Sequence, residues 1–204
     1  MGEGSGIVYY AVDMEQNDAL TLFRRAGALL EGHFRLSSGL HSTGYLQSAL
    51  VLQHPADAAA LGSAVADHVR DLRPATVISP ALGGLIIGHE VARALGVRAI
   101  FAERSGGTTL SLRRGFSLSP GERVLVVEDV FTTGKSTRET MDVAREAGAE
   151  VVGAAAIIDR SGGTIAFGVP HKTVIQLSLP TYDADQCPLC KMGVPVTKPG
   201  SRPV

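Results

Sequence analysis

Val124-Leu-Val-Val-Glu-Asp-Val-Phe-Thr-Thr-Gly-Lys-Ser-Thr137 decides the fold. The apolar run Val124–Val127 reads as a buried strand. Glu128 and Asp129 stand where that strand is expected to end. A short hydroxyl- and Gly-rich turn follows, and then an amphipathic run over 138–147. Backbone N–H groups at a helix start attract phosphate, and Thr and Ser hydroxyls add donors. Two carboxylates beside that phosphate accept hydrogen bonds from ribose hydroxyls, directly or through Mg²⁺. The stretch therefore reads as a sugar-phosphate site. A turn rich in Ser and Thr for helix capping alone explains the hydroxyls, but it does not call for Glu-Asp at a strand end.

Gly134-Lys135-Ser136 mimics the end of a nucleotide-binding P-loop. That loop needs a glycine five positions before its Gly-Lys, and Asp129 stands there. A carboxylate would repel the phosphates, so an ATPase or GTPase is excluded.

Outward from this stretch, strand and helix signals alternate. Helices are expected over 18–30, 55–72, 84–95 and 135–147, with Gly96 and Gly148 as stops. Strands are expected over 75–79, 97–102, 124–127, 151–158 and 173–177. Residues 34–52 read as a small hairpin or hood, 105–120 as a Gly-rich hairpin or mobile loop, and 1–13 carry no periodicity. Such alternation implies a mostly parallel sheet with right-handed crossovers and ligands beyond the strand C-termini. Glu128-Asp129, Pro80–Gly84 and Asp159-Arg160 all fall at those ends.

The chain has 204 residues, enough for one domain with a sizeable core. A net charge of −1 gives no general polyanion surface, so no nucleic-acid partner is expected. No apolar run reaches about 18 residues and no secretory signal stands out, so a cytoplasmic protein without a membrane span is expected. Cys187-Pro-Leu-Cys190 has metal-ligand spacing but supplies only half of a four-ligand site, so no metal is expected there. His171, or a second subunit's pair, is the candidate for completing one. His33, His41, His54, His68 and His89 show no spacing that argues for a metal.

The central stretch resembles the phosphoribosyl-diphosphate (PRPP) motif of type I phosphoribosyltransferases. Leu36-Ser-Ser-Gly-Leu-His-Ser42, Pro80-Ala-Leu-Gly-Gly84, Phe101-Ala-Glu-Arg104, Leu112-Arg-Arg-Gly-Phe116, Ile158-Asp-Arg-Ser-Gly-Gly163 and Cys187-Pro-Leu-Cys-Lys-Met-Gly-Val-Pro195 are similar to the orotate phosphoribosyltransferases. The resemblance spans roughly residues 18 to 201. It implies a single domain over 1–204, with a hood formed by about residues 18–52 and part of the C-terminal tail. It implies transfer of ribose 5-phosphate from PRPP to N1 of orotate, with Mg²⁺, in a cytoplasmic homodimer with shared active sites. The alternatives are a purine phosphoribosyltransferase and a non-catalytic PRPP-binding regulator.

The resemblance assigns catalytic roles to Arg104, Glu128 and Asp129. It assigns PRPP to Leu82, Gly83, Arg104 and the run Glu128, Asp129, Val130, Phe131, Thr132, Thr133, Gly134, Lys135 and Ser136. Orotate falls to Thr132, Arg160, Tyr45 and Leu46, and Mg²⁺ is expected to bind mainly through PRPP. Many members carry Lys where this chain has Gly83. Many also carry a further Lys and a His on a catalytic loop that is shorter here, which leaves Arg113 and Arg114 as candidate loop cations.

Overall fold

The computed structural model describes residues 14–36, 39–104 and 109–198. Its elements run α1 (Gln16–Arg25), β1 (Leu29–Arg35), β2 (His41–Leu46), α2 (Ser48–Leu52), α3 (Pro55–Val69), β3 (Thr76–Pro80), α4 (Gly84–Leu95), β4 (Arg98–Arg104), β5 (Leu110–Leu112), β6 (Arg123–Phe131), α5 (Lys135–Glu146), β7 (Glu150–Asp159), β8 (His171–Gln176), β9 (Thr181–Tyr182) and α6 (Pro188–Lys191).

Six strands form the main sheet in the order β5-β4-β3-β6-β7-β8. All neighbours pair parallel except β4 with β5. Alternation along β6 shows why the sheet is covered on both faces. Leu125 and Val127 join one core with Leu61, Val65, Ile87 and Val91 of α3 and α4. Val124 and Val126 join the other with Met141 and Ala144 of α5. A period of two thus sends every other residue to each helical layer.

The expected helix over 18–30 stops early, at Arg25. Gly27 takes φ 62°, and the N–H groups of Gly27 and Ala28 donate to Arg24 and Phe23 carbonyls at 3.0 and 2.8 Å. This left-handed stop frees Leu29 and Leu30 to enter β1. A second sheet, β1-β2-β9, is wholly antiparallel. β9 and α6 were not legible in the sequence. The sequence-based expectation for residues 1–13 lies outside the described residues, as does the Gly-rich start of the loop at 105–108. Among the described residues no helix is long and apolar enough to cross a membrane.

Candidate functional site

The strand order reverses between β3 and β6, because β3 leads through α4 to β4 on one side and β6 leads through α5 to β7 on the other. A crevice opens at such a switch point. β3 pairs with β6 only as far as Ile78↔Val126, whereas β6 stays paired with β7 out to Phe131↔Asp159. The expected strand 124–127 is therefore too short. Glu128 and Asp129 lie within β6, just past the point where β3 leaves it, and not beyond its end. Continued pairing with β7 carries the extra residues.

The crevice is a cavity of about 640 Å³, within the size range of sites for small molecules. Of the expected site residues it is lined by Tyr45, Leu46, Leu82, Gly83, Glu128, Asp129, Val130, Thr132, Thr133, Ser136 and Arg160. Leu36, Gln47, Pro80, Ala81 and Thr181 line it as well. Thr181 comes from β9, which no local pattern announces, and Gln47 is an isolated amide just after β2.

Four expected residues stand outside this lining. Phe131 is fully buried against Phe167, with ring centroids 4.9 Å apart, and its backbone carbonyl accepts the Arg160 N–H at 2.8 Å. Lys135 points into solvent near Glu139, at 3.8 Å. Gly134 shapes the turn from behind. Its φ is +72°, and a Cβ there would stand 2.6 Å from Ile165 and 2.7 Å from Phe167. Arg104 pairs with Glu139 of its own chain at 2.8 Å. Arg113 and Arg114 stand away from the cavity too, Arg114 forking onto Glu103 at 2.9 and 3.0 Å.

The phosphate-like end of the site is the start of α5, where the cap residue Gly134 has no side chain to offer and, among the described residues, the Lys135 N–H alone donates to a side chain, Thr133 Oγ1, at 3.4 Å. Helix-start N–H groups left without a partner make an anion cradle. Arg138 braces the turn from outside by donating to the Thr133 and Ala166 carbonyls at 2.7 and 3.1 Å. A second helix start, that of α4, opens after Pro80–Gly83. Gly83 faces the acidic pair so closely that a Cβ would lie 2.9 Å from Asp129 Oδ1. A long side chain there would have to push past that carboxylate.

Charge in the cavity is uncompensated at both ends. Glu128 is buried. Burial first, and then the neighbouring Asp129 carboxylate, holds its carboxyl well above the usual range. Across the cavity, Arg160 follows β7 and is half-buried. Its Nε is buried and has no hydrogen-bond partner among the described residues. Burial pulls its guanidinium below the usual range, with Tyr45 opposing. Arg160 lines the cavity, and a guanidinium there can fork onto a planar carboxylate or an oxo edge. One cavity thus offers anion-binding N–H groups, paired carboxylates and a guanidinium.

That combination, at the switch point of a mostly parallel sheet with a small antiparallel sheet at its mouth, is the type I phosphoribosyltransferase arrangement. Residues 48–172 match the phosphoribosyl transferase domain. The orotate phosphoribosyltransferase of Pelotomaculum thermopropionicum is 49% identical over 191 residues, covering 94% of this chain and 100% of that protein. The Thermus thermophilus enzyme of the same name is 50% identical over 179 residues, 88% of this chain and 98% of that one. The crystal structure of orotate phosphoribosyltransferase from Aeropyrum pernix superposes with a TM-score of 0.65 at 30% identity, covering 77% of this chain and 92% of that one. The chain belongs to the phosphoribosyltransferase family, among the orotate phosphoribosyltransferases.

Proposed function

We infer that this chain transfers ribose 5-phosphate from PRPP to orotate, giving orotidine 5′-monophosphate and pyrophosphate in pyrimidine biosynthesis. The observation that carries the reading is that Arg160 lines the same cavity as Glu128 and Asp129. A cation for an anionic base and carboxylates for a sugar are what this pair of substrates requires.

In this reading the α5 start and the hydroxyls of Thr132, Thr133 and Ser136 take the 5′-phosphate. Glu128 and Asp129 hold the ribose hydroxyls. The Pro80–Gly83 turn and the α4 start take the diphosphate. Arg160 and Thr132 bind orotate beneath Tyr45 and Leu46 of the small sheet, which acts as the hood of a single unit spanning 1–204. The C1–O bond to the diphosphate breaks, the N1–C1 bond forms, and the N1 proton leaves. Charge grows on C1 and on the departing diphosphate, so positioning and electrostatics carry the catalysis.

The residues present fit Mg²⁺. Two adjacent carboxylates are hard oxygen donors, and a cation beside them would relieve the strain of keeping Glu128 ionised while buried. When bound, the ion neutralises diphosphate charge. A homodimer belongs to the same proposal. Arg104 lies outside its own chain's cavity at the start of the loop, so it serves the leaving diphosphate of a partner's site. A cytoplasmic location follows from a substrate too highly charged to cross a bilayer.

The test is turnover. Purified protein with PRPP, Mg²⁺ and, separately, orotate, uracil, adenine and hypoxanthine should release pyrophosphate with orotate only. Release with a purine, or with none of the four, would overturn the reading.

A further inference from the structure

The expectation that Cys187 and Cys190 bind no metal rested on their being half a site. His171, the candidate completing ligand, is elsewhere, packed edge-on against Phe167 with centroids 5.4 Å apart. The fold instead brings two other histidines to the cysteine pair. The ligand atoms of His33, His41, Cys187 and Cys190 all lie within 4.8 Å of one another. We propose that these four side chains form a structural zinc site that clamps the C-terminal tail onto the small sheet.

Four of the six contacts come close to the dimensions of such a site. With Zn–N near 2.05 Å and Zn–S near 2.3 Å, the edges of a tetrahedron are roughly 3.3 Å for N–N and 3.6 Å for N–S. His33 Nε2 lies 3.5 Å from Cys187 Sγ and 3.7 Å from Cys190 Sγ. His41 Nδ1 lies 3.2 Å from Cys190 Sγ and 2.8 Å from His33 Nε2. A cation at the centre needs the two imidazoles to part by about half an ångström and the widest pair, at up to 4.8 Å, to close by about 1 Å.

Ordinary hydrogen bonding accounts poorly for the cluster. His33 Nδ1 lies 2.7 Å from the Val194 carbonyl, so that nitrogen carries the proton and donates it. Its Nε2 then has a single lone pair. Yet His41 Nδ1, Cys187 Sγ and Cys190 Sγ all converge on it. One ion at the centre satisfies all of them. The bond to Val194 is also the outer partner a metal-bound imidazole usually has, fixing tautomer and ring orientation. Two nitrogens and two sulfurs in a tetrahedron select zinc among the common divalent ions.

The backbone is arranged to present the ligands. His33 sits at the irregularity in β1–β2 pairing between Glu31 and Phe34. A bulge there turns successive residues His33 and Phe34 both inward. Cys187 precedes α6 and Cys190 lies within it, a one-turn knuckle closed by Gly193 N–H donating to the Cys190 carbonyl at 3.0 Å. Beyond it, Thr197 exchanges backbone bonds with His33 and Arg35, each 2.8 Å.

The tail also needs such a clamp. Across residues 183–198, Cys187 alone is buried, and Met192 is 67% exposed. Ordering these residues costs conformational entropy that the burial of Cys187 and part of Leu189 offsets only slightly. A metal bond supplies the missing free energy where a core cannot. The strands it fastens also reach the cavity, through Tyr45 and Leu46 on β2 and Thr181 on β9. The proposal nonetheless stands apart from any catalytic role.

The test is metal content. Full-length protein made in zinc-supplemented medium and purified under reducing conditions should retain about one zinc per chain through gel filtration, read by plasma mass spectrometry. Cys187→Ser with Cys190→Ser should lower that to below about a tenth. Should this variant fail to fold, the wild type decides. Stripped of metal and titrated with Co²⁺, it should show the visible bands of tetrahedral cobalt and thiolate-to-cobalt charge transfer, both erased by zinc. Zinc below about a tenth per chain after reducing reconstitution, cobalt bound without those bands, or unchanged zinc in a folded double variant would each overturn the proposal.

Discussion

Arg160→Ala isolates the base-recognition half of the site. The Arg160 Nε has no hydrogen-bond partner among the described residues, so truncation breaks no bond made through that atom. A hydrogen bond to a charged group is worth about 1.5–3 kcal/mol. At 1.4 kcal/mol per tenfold, its loss raises the KM for orotate by roughly 10- to 150-fold. The KM for PRPP should move far less, because the phosphate turn and the acidic pair lie at other walls of the cavity. Tm should stay nearly unchanged, within the roughly 0.5 kcal/mol typical of substitutions that break no internal contact. Initial rates at varied orotate and varied PRPP, with thermal unfolding of the same preparations, provide the readout. Equal effects on the two KM values, or a fall of several degrees in Tm with orotate KM unchanged, would refute the reasoning and make Arg160 a structural residue.

The acidic pair gives two further tests. Glu128 has its folded-state pKa raised, so between the ordinary carboxylate range and that raised value the folded state binds more protons than the unfolded one. Stability therefore falls as pH rises through that window, and Glu128→Gln should flatten this fall and raise the Tm of the empty protein at neutral pH. An unchanged slope in melts across pH counts against a carboxyl held protonated by burial. Glu128→Gln with Asp129→Asn should fold and lose nearly all turnover; wild-type-like rates with PRPP would end the sugar-site reading. Gly134→Ala meets Ile165 and Phe167 and forces a left-handed residue, so it should cost about 1–2 kcal/mol or more in chemical denaturation and weaken PRPP binding. Arg104→Ala and Asp129→Asn should each be inactive alone. Mixed by subunit exchange, about half the dimers carry one intact site of two, so activity should recover toward a quarter of wild type. Proven exchange with no recovery would place Arg104 within its own subunit's chemistry or outside the reaction.

Local chemistry made much of this protein legible from its sequence. The apolar run 124–127, Gly96 and Gly148 as helix stops, and carboxylates next to a hydroxyl-rich turn are all short-range signals. They announced a mostly parallel sheet and its phosphate end before any contact was known. What the sequence left hidden depends on partners distant in the chain. β6 runs on through Asp129 to Phe131 because β7 remains beside it, and no residue in 124–131 encodes that neighbour. The two residues of β9 find order only by pairing with His41 and Ser42. Leu29 and Leu30 fit a helix face as well as a strand, and the turn at Gly27 together with the pairing to β2 settled the choice. Arg160 reads as an ordinary surface charge until the fold sets it in the wall of the cavity. His33 and His41 lie 154 and 149 residues from the cysteines they touch. Periodicity and spacing register only what neighbours along the chain impose, so a ligand set assembled by a strand bulge and a returning tail exists only once the tertiary structure has formed.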